Sequence, residues 1–276
     1  MMVRTLSDRR ILITGASRGI GRSLAERAVR AGAVVALVAR SAGPLQAMAD
    51  KFSSQGAKAI AIPADLTSEA DRRRILETVV ERLGGLDVLI NNAGVASFGH
   101  FRSSREAVLR EVMEVNFFAP AELIRGAIPL LARGRQPAIV NIASMCGRRG
   151  LPAWPEYSAS KFALCSLTEA LRGEMVRFGI DVLLVLPGLT HSDMGSHLLR
   201  DAGRMKIDFA DGMSPDYVAS KILDALEKNR TETVVGREAR AMLLVNRFLP
   251  HLVDRLLARR VRRLYAGEPE AAGVQE

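Results

Sequence analysis

Cysteine, histidine and long apolar runs are all scarce in this sequence, and each scarcity argues against a class of protein. The 276 residues include two cysteines, Cys146 and Cys165, and four histidines, without the spacing of a disulfide framework or a zinc site. No apolar run approaches the roughly 18 residues that cross a bilayer. A basic segment followed by a long apolar segment, as in a signal peptide, is also missing. We therefore expect a cytoplasmic protein that binds no metal.

Acidic residues are scarce in one region, near the C-terminus. The chain has a net charge of +9. Residues 237–263 contain eight arginines but only two acids, so their net charge is +6 and most of the excess positive charge lies there. The basic character thus belongs to a tail and not to a face of the folded domain, as nucleic-acid binding would require. We expect no nucleic-acid partner.

Apolar, β-rich runs alternate with helical patterns along the chain, which is typical of βαβ units and a parallel sheet. The predicted strands are residues 10–14, 33–38, 57–62, 86–90, 138–142, 181–186 and 231–235. The predicted helices are residues 19–31, 68–83, 104–132, 157–178 and 215–227. This pattern predicts an α/β fold: one doubly wound, Rossmann-like parallel sheet of about seven strands in residues 1–235, followed by a helical extension and tail in residues 236–276.

A glycine-rich turn joins the first predicted strand to the first helix. It reads Thr14-Gly15-Ala16-Ser17-Arg18-Gly19-Ile20-Gly21. Such glycines permit close approach of a ligand to the backbone, and the free N–H groups at a helix N-terminus favour phosphate. A plain βα loop is the alternative interpretation. The position directly after the first strand favours a dinucleotide phosphate site.

The end of the second predicted strand carries Arg40 and no carboxylate. NAD-binding proteins place an acid here for the ribose 2′-hydroxyl, whereas an arginine accommodates the 2′-phosphate of NADP. Arg18 adds a second cation nearby. Both arginines could simply face solvent, but the pattern predicts NADP.

Tyr157 and Lys161 are four residues apart and therefore share one face of the predicted helix. A nearby cation favours the phenolate, so we expect Lys161 to lower the pKa of Tyr157 and to make it usable as a proton donor and acceptor. On its own such a pair is more often a solvated helix face.

These motifs, taken in order, resemble those of the short-chain dehydrogenases/reductases over about residues 8–235. The motifs that carry the resemblance are the turn from Thr14 to Gly21, Asp65, Asn91-Asn92-Ala93-Gly94, Ser144, the Tyr157–Lys161 pair and Pro187-Gly188. All follow predicted strands or begin the next helix, at the edge where open α/β sheets bind ligands.

The resemblance implies four catalytic residues. Tyr157 would be the acid/base, Lys161 would hold the nicotinamide ribose and lower the Tyr157 pKa, Ser144 would orient the substrate oxygen, and Asn116 would hold a proton-relaying water. Each also has a purely structural alternative. The implied cofactor-binding residues are Gly15, Ser17, Arg18, Gly19, Ile20, Gly21, Arg40, Asp65, Leu66, Asn92, Ala93, Gly94, Tyr157, Lys161, Pro187, Gly188, Leu189 and Ser192.

Three segments are expected to line the substrate cleft: residues 95–101, 145–154 and 190–213. Their large side chains are mostly apolar, which favours a steroid-, retinoid- or lipid-like ketone, aldehyde or secondary alcohol. Ordinary core packing is the alternative for any one of them. The runner-up activity is a 3-oxoacyl thioester reductase, in which Arg148 or the tail arginines steer an acidic carrier. A non-catalytic dinucleotide sensor is disfavoured because Ser144, Tyr157 and Lys161 are all present.

The C-terminal segment 241–265 has apolar residues at helical spacing among arginines, with Pro250 expected to break or kink the helix. A basic amphipathic helix is typical of a membrane-surface contact or a partner contact, and packing over the protein's own cleft is the alternative. The family resemblance also implies a homodimer or homotetramer through the helices predicted at 104–132 and 157–178.

Overall fold

A computed structural model describes residues 4–191, 194–203 and 208–266. Seven parallel strands form the main sheet, in the order β3-β2-β1-β4-β6-β7-β9. They are β1 (Arg10–Thr14), β2 (Val34–Ala39), β3 (Ala59–Pro63), β4 (Val88–Asn91), β6 (Ala138–Ile142), β7 (Asp181–Pro187) and β9 (Glu232–Val235). The predicted doubly wound, Rossmann-like fold is confirmed.

Helices cover both faces of this sheet. They are α1 (Gly19–Arg30), α2 (Ala42–Ser54), α3 (Glu69–Leu83), α4 (Glu106–Met113), α5 (Ala119–Leu131), α6 (Pro155–Met175), α7 (Pro215–Glu227), α8 (Arg237–Phe248) and α9 (Pro250–Leu264). Neighbouring residues of one strand serve opposite layers: Ile11 and Ile13 belong to one apolar cluster, and Leu12 belongs to the other. Strands that are buried on both faces read as continuous apolar runs, which explains the sequence pattern.

Local sequence signals define several helix ends. The Ser68 side chain accepts a hydrogen bond from the N–H of Asp71 and caps α3, which ends at Gly84 in the left-handed conformation. Ser214 caps α7 in the same way, with Pro215 at its first position. The described residues contain no helix that is long and apolar enough to cross a membrane.

Three features differ from the predicted elements. Helix α2 was not predicted, because Gly43 and Pro44 at its start are typical of a loop. The helix predicted at 104–132 is divided by a π-helical turn, Glu114–Phe118. A small second sheet pairs β5 (Phe98–Gly99) with β8 (Asp201–Ala202), and strands of two residues leave no periodic signal.

The amino end of the sheet carries a buried ion pair. The Asp87 carboxylate is fully buried and accepts four hydrogen bonds, three from Arg10 and one from the N–H of Arg135. Burial alone would raise the pKa of Asp87, but these hydrogen bonds outweigh it and hold the pKa below its usual value. This end of the sheet is therefore fastened by a fully paired charge.

Strand β1 is the point in the sheet from which the first strands are added on one side and the later strands on the other. It pairs with β2 on one side and with β4 on the other. Ligands of open α/β sheets bind in the crevice outside the carboxyl ends of the strands at such a switch point. The segments after β1, β2, β4, β6 and β7 meet at this edge.

Candidate active site

The turn after β1 is shaped by its glycines. Gly15 has a φ of 64°, in the region that glycine adopts without strain. A Cβ at Gly21 would collide with the carbonyl oxygen of Gly15. The first turn of α1 has no acidic residue, and its N-cap, Arg18, forms no side-chain cap hydrogen bond. Its N–H groups therefore remain available, and the turn fits the phosphate of a dinucleotide.

Asn92 fastens this turn to the end of β4. Its Nδ2 donates to the carbonyl oxygens of Thr14, at 2.9 Å, and Gly15, at 3.2 Å. The Thr14 hydroxyl accepts from the N–H groups of Asn92 and Ala93. Thr14 was not predicted as a site residue, although it begins the motif. The end of β1 and the end of β4 are thus joined through the side chains of Thr14 and Asn92.

The other residues assigned to the cofactor occupy the same edge of the sheet. Ser17 lies half-buried in the turn, and Ile20 packs against the core. Arg18 and Arg40 are both exposed, with Arg40 directly after β2. No carboxylate follows β2.

Asp65 and Leu66 follow β3. The Asp65 carboxylate accepts hydrogen bonds from the N–H and the hydroxyl of Thr67, at 3.0 and 2.9 Å. Leu66 packs against the core, and its carbonyl oxygen accepts from Arg72. This Asx turn presents an exposed carboxylate beside the β2–β3 end of the crevice.

The segment after β7 is held by the C-terminal part of the domain. The N–H of Gly188 donates to the carbonyl oxygen of Val235, and a Cβ at Gly188 would lie 2.9 Å from the Cβ of Ala239 in α8. The carbonyl oxygen of Leu189 accepts from Met213. Pro187 is the last residue of β7. Ser192, the remaining assigned residue, lies outside the described residues.

Helix α6 brings Tyr157 and Lys161 to the carboxyl ends of β4 and β6. Both side chains are buried, with exposed fractions of 9 % and 3 %. The Lys161 ammonium lies 5.7 Å from the centre of the Tyr157 ring and donates to the carbonyl oxygen of Ile142. Ser144 is buried after β6, its hydroxyl accepts a hydrogen bond from the N–H of Cys146 at 3.2 Å, and it lies close enough to Tyr157 to influence its pKa. The structure therefore brings Ser144, Tyr157 and Lys161 together.

Asn116 points into the same region because the π-helical turn widens the helix there. Its Nδ2 donates to the carbonyl oxygen of Val95, at 2.8 Å, and to the Ser160 hydroxyl, at 3.0 Å. Its Oδ1 accepts from the N–H of Val95. A Cβ at Gly94 would lie 3.1 Å from this Oδ1 and 3.5 Å from Lys161 Nζ. In this structure Asn116 fastens the segment after β4, a contact that the sequence did not indicate.

Burial controls the protonation of Tyr157 and Lys161. It raises the pKa of the Tyr157 phenol, the electrostatic interaction with Cys146 acts in the same direction, and the nearby Ser144 hydroxyl opposes it. Burial also lowers the pKa of Lys161 to about 8, while Cys165 and Cys146 oppose it. The Tyr157 shift is opposite to the expected effect of Lys161, because both groups lose their hydration. Tyr157 is thus a protonated donor at neutral pH.

An apolar cluster packs around Tyr157. The Trp154 ring lies 5.8 Å from the Tyr157 ring, 5.1 Å from Phe98 and 6.2 Å from Phe209, measured between ring centres. Met145, Leu151, Met194 and Leu198 pack against this cluster. All three segments expected to line the cleft contribute, whereas Phe101 is exposed. Met205 lies outside the described residues.

Two charged residues near this cluster are already paired. Arg148 forms ion pairs with Glu169 and Glu232, and Arg149 pairs with Asp254 of α9. Because both arginines are already paired, neither is available to bind an acidic substrate.

Glu156 was not singled out in the sequence. It is buried beside Tyr157, and its Oε2 accepts from the Ser97 hydroxyl at 3.0 Å. A glutamate in the first turn of a helix usually interacts with the helix dipole at the surface, so no sequence signal marked it as buried.

Comparison with known proteins matches this site to a family. The sequence profile of the short chain dehydrogenases matches residues 9–203. Ketoacyl reductase HetN from Nostoc sp. is 33 % identical over 258 residues, which are 91 % of this chain and 89 % of the relative.

Solved structures share the fold. A short chain dehydrogenase from Burkholderia cenocepacia, in complex with NADP, is 25 % identical with a TM-score of 0.78, and the match covers 92 % of this chain and 99 % of that one. A relative from Burkholderia phymatum, in complex with NAD, has a TM-score of 0.82 at 24 % identity and covers 90 % of this chain and 96 % of its own, which is a likeness of fold alone. With the motifs, the sheet and the family profile in agreement, this chain belongs to the short-chain dehydrogenase/reductase family of oxidoreductases.

Proposed function

We propose that this protein is an NADP(H)-dependent oxidoreductase that acts on a hydrophobic ketone, aldehyde or secondary alcohol, with Tyr157 as the general acid/base. The observation that carries the proposal is the placement of two neighbouring hydroxyls, Ser144 and Tyr157, beside a cluster of aromatic side chains at the carboxyl ends of the strands. Two adjacent hydroxyls can orient and protonate a single substrate oxygen.

The protonation states support a proton transfer from Tyr157. Burial keeps its phenol protonated at neutral pH, so the phenol can donate its proton to the substrate oxygen during reduction, and in the oxidation direction the phenolate would accept the proton of the alcohol. The bound nicotinamide would supply or receive the hydride. Lys161, whose pKa is lowered to about 8, can exchange a proton near neutral pH. Asn116 holds Val95 beside it and so keeps this side of the crevice in place.

Arg18 and Arg40 support the choice of NADP. Both are exposed near the ends of β1 and β2, where the additional phosphate of NADP would lie. A relative of this fold binds NADP. An arginine supplies planar, multiple donors for phosphate.

The apolar cluster beside Tyr157 supports a hydrophobic substrate. It consists of Phe98, Trp154 and Phe209 with smaller apolar side chains, and the nearby Arg148 and Arg149 are engaged in ion pairs. A 3-oxoacyl thioester is the second candidate, favoured by the similarity to Ketoacyl reductase HetN. Its acyl part would suit the same apolar surroundings.

A substrate screen tests this proposal. Steroids, retinoids, fatty aldehydes and 3-oxoacyl thioesters are each mixed with the full chain, and the absorbance of NADPH and of NADH is followed in parallel. We expect turnover of apolar carbonyl compounds with NADPH. Activity confined to polar sugars, or a preference for NADH, would contradict the substrate class or the cofactor choice, respectively.

We also propose a homodimer or homotetramer formed through the helices α5 and α6. Phe118, before α5, and Phe162, on α6, both expose large aromatic rings, which is typical of a protein contact. Light scattering coupled to size exclusion should give a multiple of the 30.0 kDa chain mass. A monomer at all concentrations would contradict this assembly.

A further inference from the structure

Helices α8 and α9 contact the domain through one face. Ala239 and Val253 are buried, and Leu243 packs against the core cluster around Leu184 and Leu186. The ion pair between Arg149 and Asp254 also ties α9 to the domain. Through this inner face both helices bury apolar side chains against the domain, as amphipathic helices do.

A second apolar face points away from the domain. We call it the outer stripe; it consists of Leu244, Val245, Phe248, Leu249, Leu252 and Leu256. Their exposed fractions lie between 40 % and 69 %. Within each helix the members lie three or four residues apart or are adjacent, so they share one exposed side of α8 and one of α9, with Leu249 at the junction. Contiguous exposed apolar surface of this kind marks a contact with another molecule or with a membrane.

Arginines flank the outer stripe. In α9, Arg255, Arg259 and Arg263 are spaced four residues apart, on the same side of the helix as Leu252 and Leu256. Within the described part of the chain, none of the eight arginines between 237 and 263 forms an ion pair. Of the two acids there, Asp254 is already engaged by Arg149. The surface therefore combines exposed apolar side chains with uncompensated positive charge.

A second copy of the chain is a poor occupant for this surface. In a two-fold symmetric contact the same patch meets itself, so arginines would face arginines without intervening acids. Like charges across an interface oppose association. An anionic lipid surface supplies what is missing, since guanidinium groups contact lipid phosphates while apolar side chains enter the acyl boundary.

We propose that the outer stripe and its arginines form a docking surface for an anionic lipid bilayer, with α8 and α9 lying in the plane of the interface. The contact would be peripheral and sensitive to salt, because exposed charges are screened within about 10 Å at 0.1 M ionic strength. It does not depend on the proposed reaction, and a vesicle-binding experiment needs no enzymatic readout.

Vesicle co-sedimentation of the full chain tests the proposal. We expect binding to phosphatidylcholine vesicles that contain phosphatidylglycerol, weak binding to phosphatidylcholine alone, and loss of binding as salt rises. The triple variant Arg255→Gln/Arg259→Gln/Arg263→Gln should bind about a hundredfold more weakly, since each basic residue near such a surface contributes about 1 kcal/mol. The variant Phe248→Ser/Leu252→Ser should lose at least about tenfold through reduced apolar burial.

Matched controls separate docking from general surface effects. Val176→Ser removes an exposed apolar side chain elsewhere, and Arg82→Gln/Arg133→Gln removes two exposed charges elsewhere. Both should bind vesicles as the unchanged protein does. Point variants are preferable to truncation after residue 236, which would also remove Ala239 from Gly188.

Three results would overturn the proposal. One is the absence of binding to anionic vesicles at low salt. Another is equal binding by the stripe variant, the arginine variant and the unchanged protein. The third is a concentration-dependent dimer that Phe248→Ser/Leu252→Ser abolishes, without any vesicle binding, which would assign the face to a second copy.

Discussion

At the amino end of the sheet a buried charge is fully paired, whereas at the carboxyl end a buried charge has little compensation. Asp87 accepts four hydrogen bonds from Arg10 and Arg135. Lys161 is almost as deeply buried, but among the described residues its ammonium donates one hydrogen bond, to Ile142. Burial accordingly shifts the pKa of Lys161 toward neutrality, while pairing holds the pKa of Asp87 low.

This difference separates a structural ionic group from a chemical one. A paired buried charge keeps one protonation state and fastens strands. A buried charge with few partners changes its protonation state near working pH, which is what acid/base chemistry needs. Substitutions at the two ends of the sheet test this contrast, and the loss of the Tyr157 hydroxyl should have the largest effect.

Tyr157→Phe should reduce turnover by about a thousandfold or more, because it removes the proton donor while keeping the ring that packs on Trp154. Binding of NADPH, followed by its fluorescence, should be unchanged. Tyr217→Phe is the matched control, since Tyr217 is exposed on α7, and it should retain full activity. Unchanged turnover in Tyr157→Phe would disprove the assigned acid/base.

Asp87→Asn should destabilise the fold by about 3 kcal/mol, because Arg10 loses its buried charge partner. Asp216→Asn is the control, because Asp216 makes a comparable two-point contact with Arg27 but is exposed. This substitution should lower the free energy of unfolding by less than about 1 kcal/mol. Chemical denaturation measures both. Equal losses would mean that the amino end is not held by a buried pair.

Lys161→Met should raise the free energy of unfolding at pH 7 by about 3 kcal/mol, since it removes the cost of burying an ammonium. The folded pKa of Lys161, about 8, lies below its unfolded value of 10.5. The unchanged protein should therefore gain stability as pH rises from about 8 to 10.5, and the variant should not show this gain. The control Lys58→Met, at an exposed position, should keep the pH dependence. If the unchanged protein and Lys161→Met gained the same stability between about pH 8 and 10.5, the lowered pKa of Lys161 would be contradicted.

Arg40→Asp should shift the cofactor preference by about tenfold or more from NADPH toward NADH, because an acid suits the ribose hydroxyl and repels the 2′-phosphate. The measurement is kcat/KM for both cofactors. Arg102→Asp, at another exposed arginine, is the charge-matched control and should leave the ratio unchanged. An unaltered ratio in Arg40→Asp would remove Arg40 from the cofactor site.

Most of the fold could be predicted because strands buried on both faces are continuous apolar runs, and the predicted strands agree with the observed ones within two residues. Helix α2 was missed because its first turn contains Gly43 and Pro44, whereas Leu45, Met48, Ala49 and Phe52 bury its inner face. The division of the helix at Glu114–Phe118 has no signature in periodicity. It became visible only through the contacts of Asn116 with Val95 and Ser160.

The positions of the site residues could be predicted from motifs that follow strand ends, but their surroundings could not. Glu156 carried no signal in the sequence, and it is buried against Ser97. Arg148 looked available for a substrate and is paired with Glu169 and Glu232. Both outcomes depend on residues distant in the sequence, so local spacing carries no information about them.

The sequence by itself determined the parallel sheet, the glycine-rich turn and the spacing that puts Tyr157 and Lys161 on one helix face, because these follow from local periodicity and short-range geometry. Tertiary structure alone decided the direction of the Tyr157 pKa and the division of the C-terminal helices into an inner and an outer apolar face. Those properties depend on which groups lose contact with water, and that is settled only when distant segments pack together.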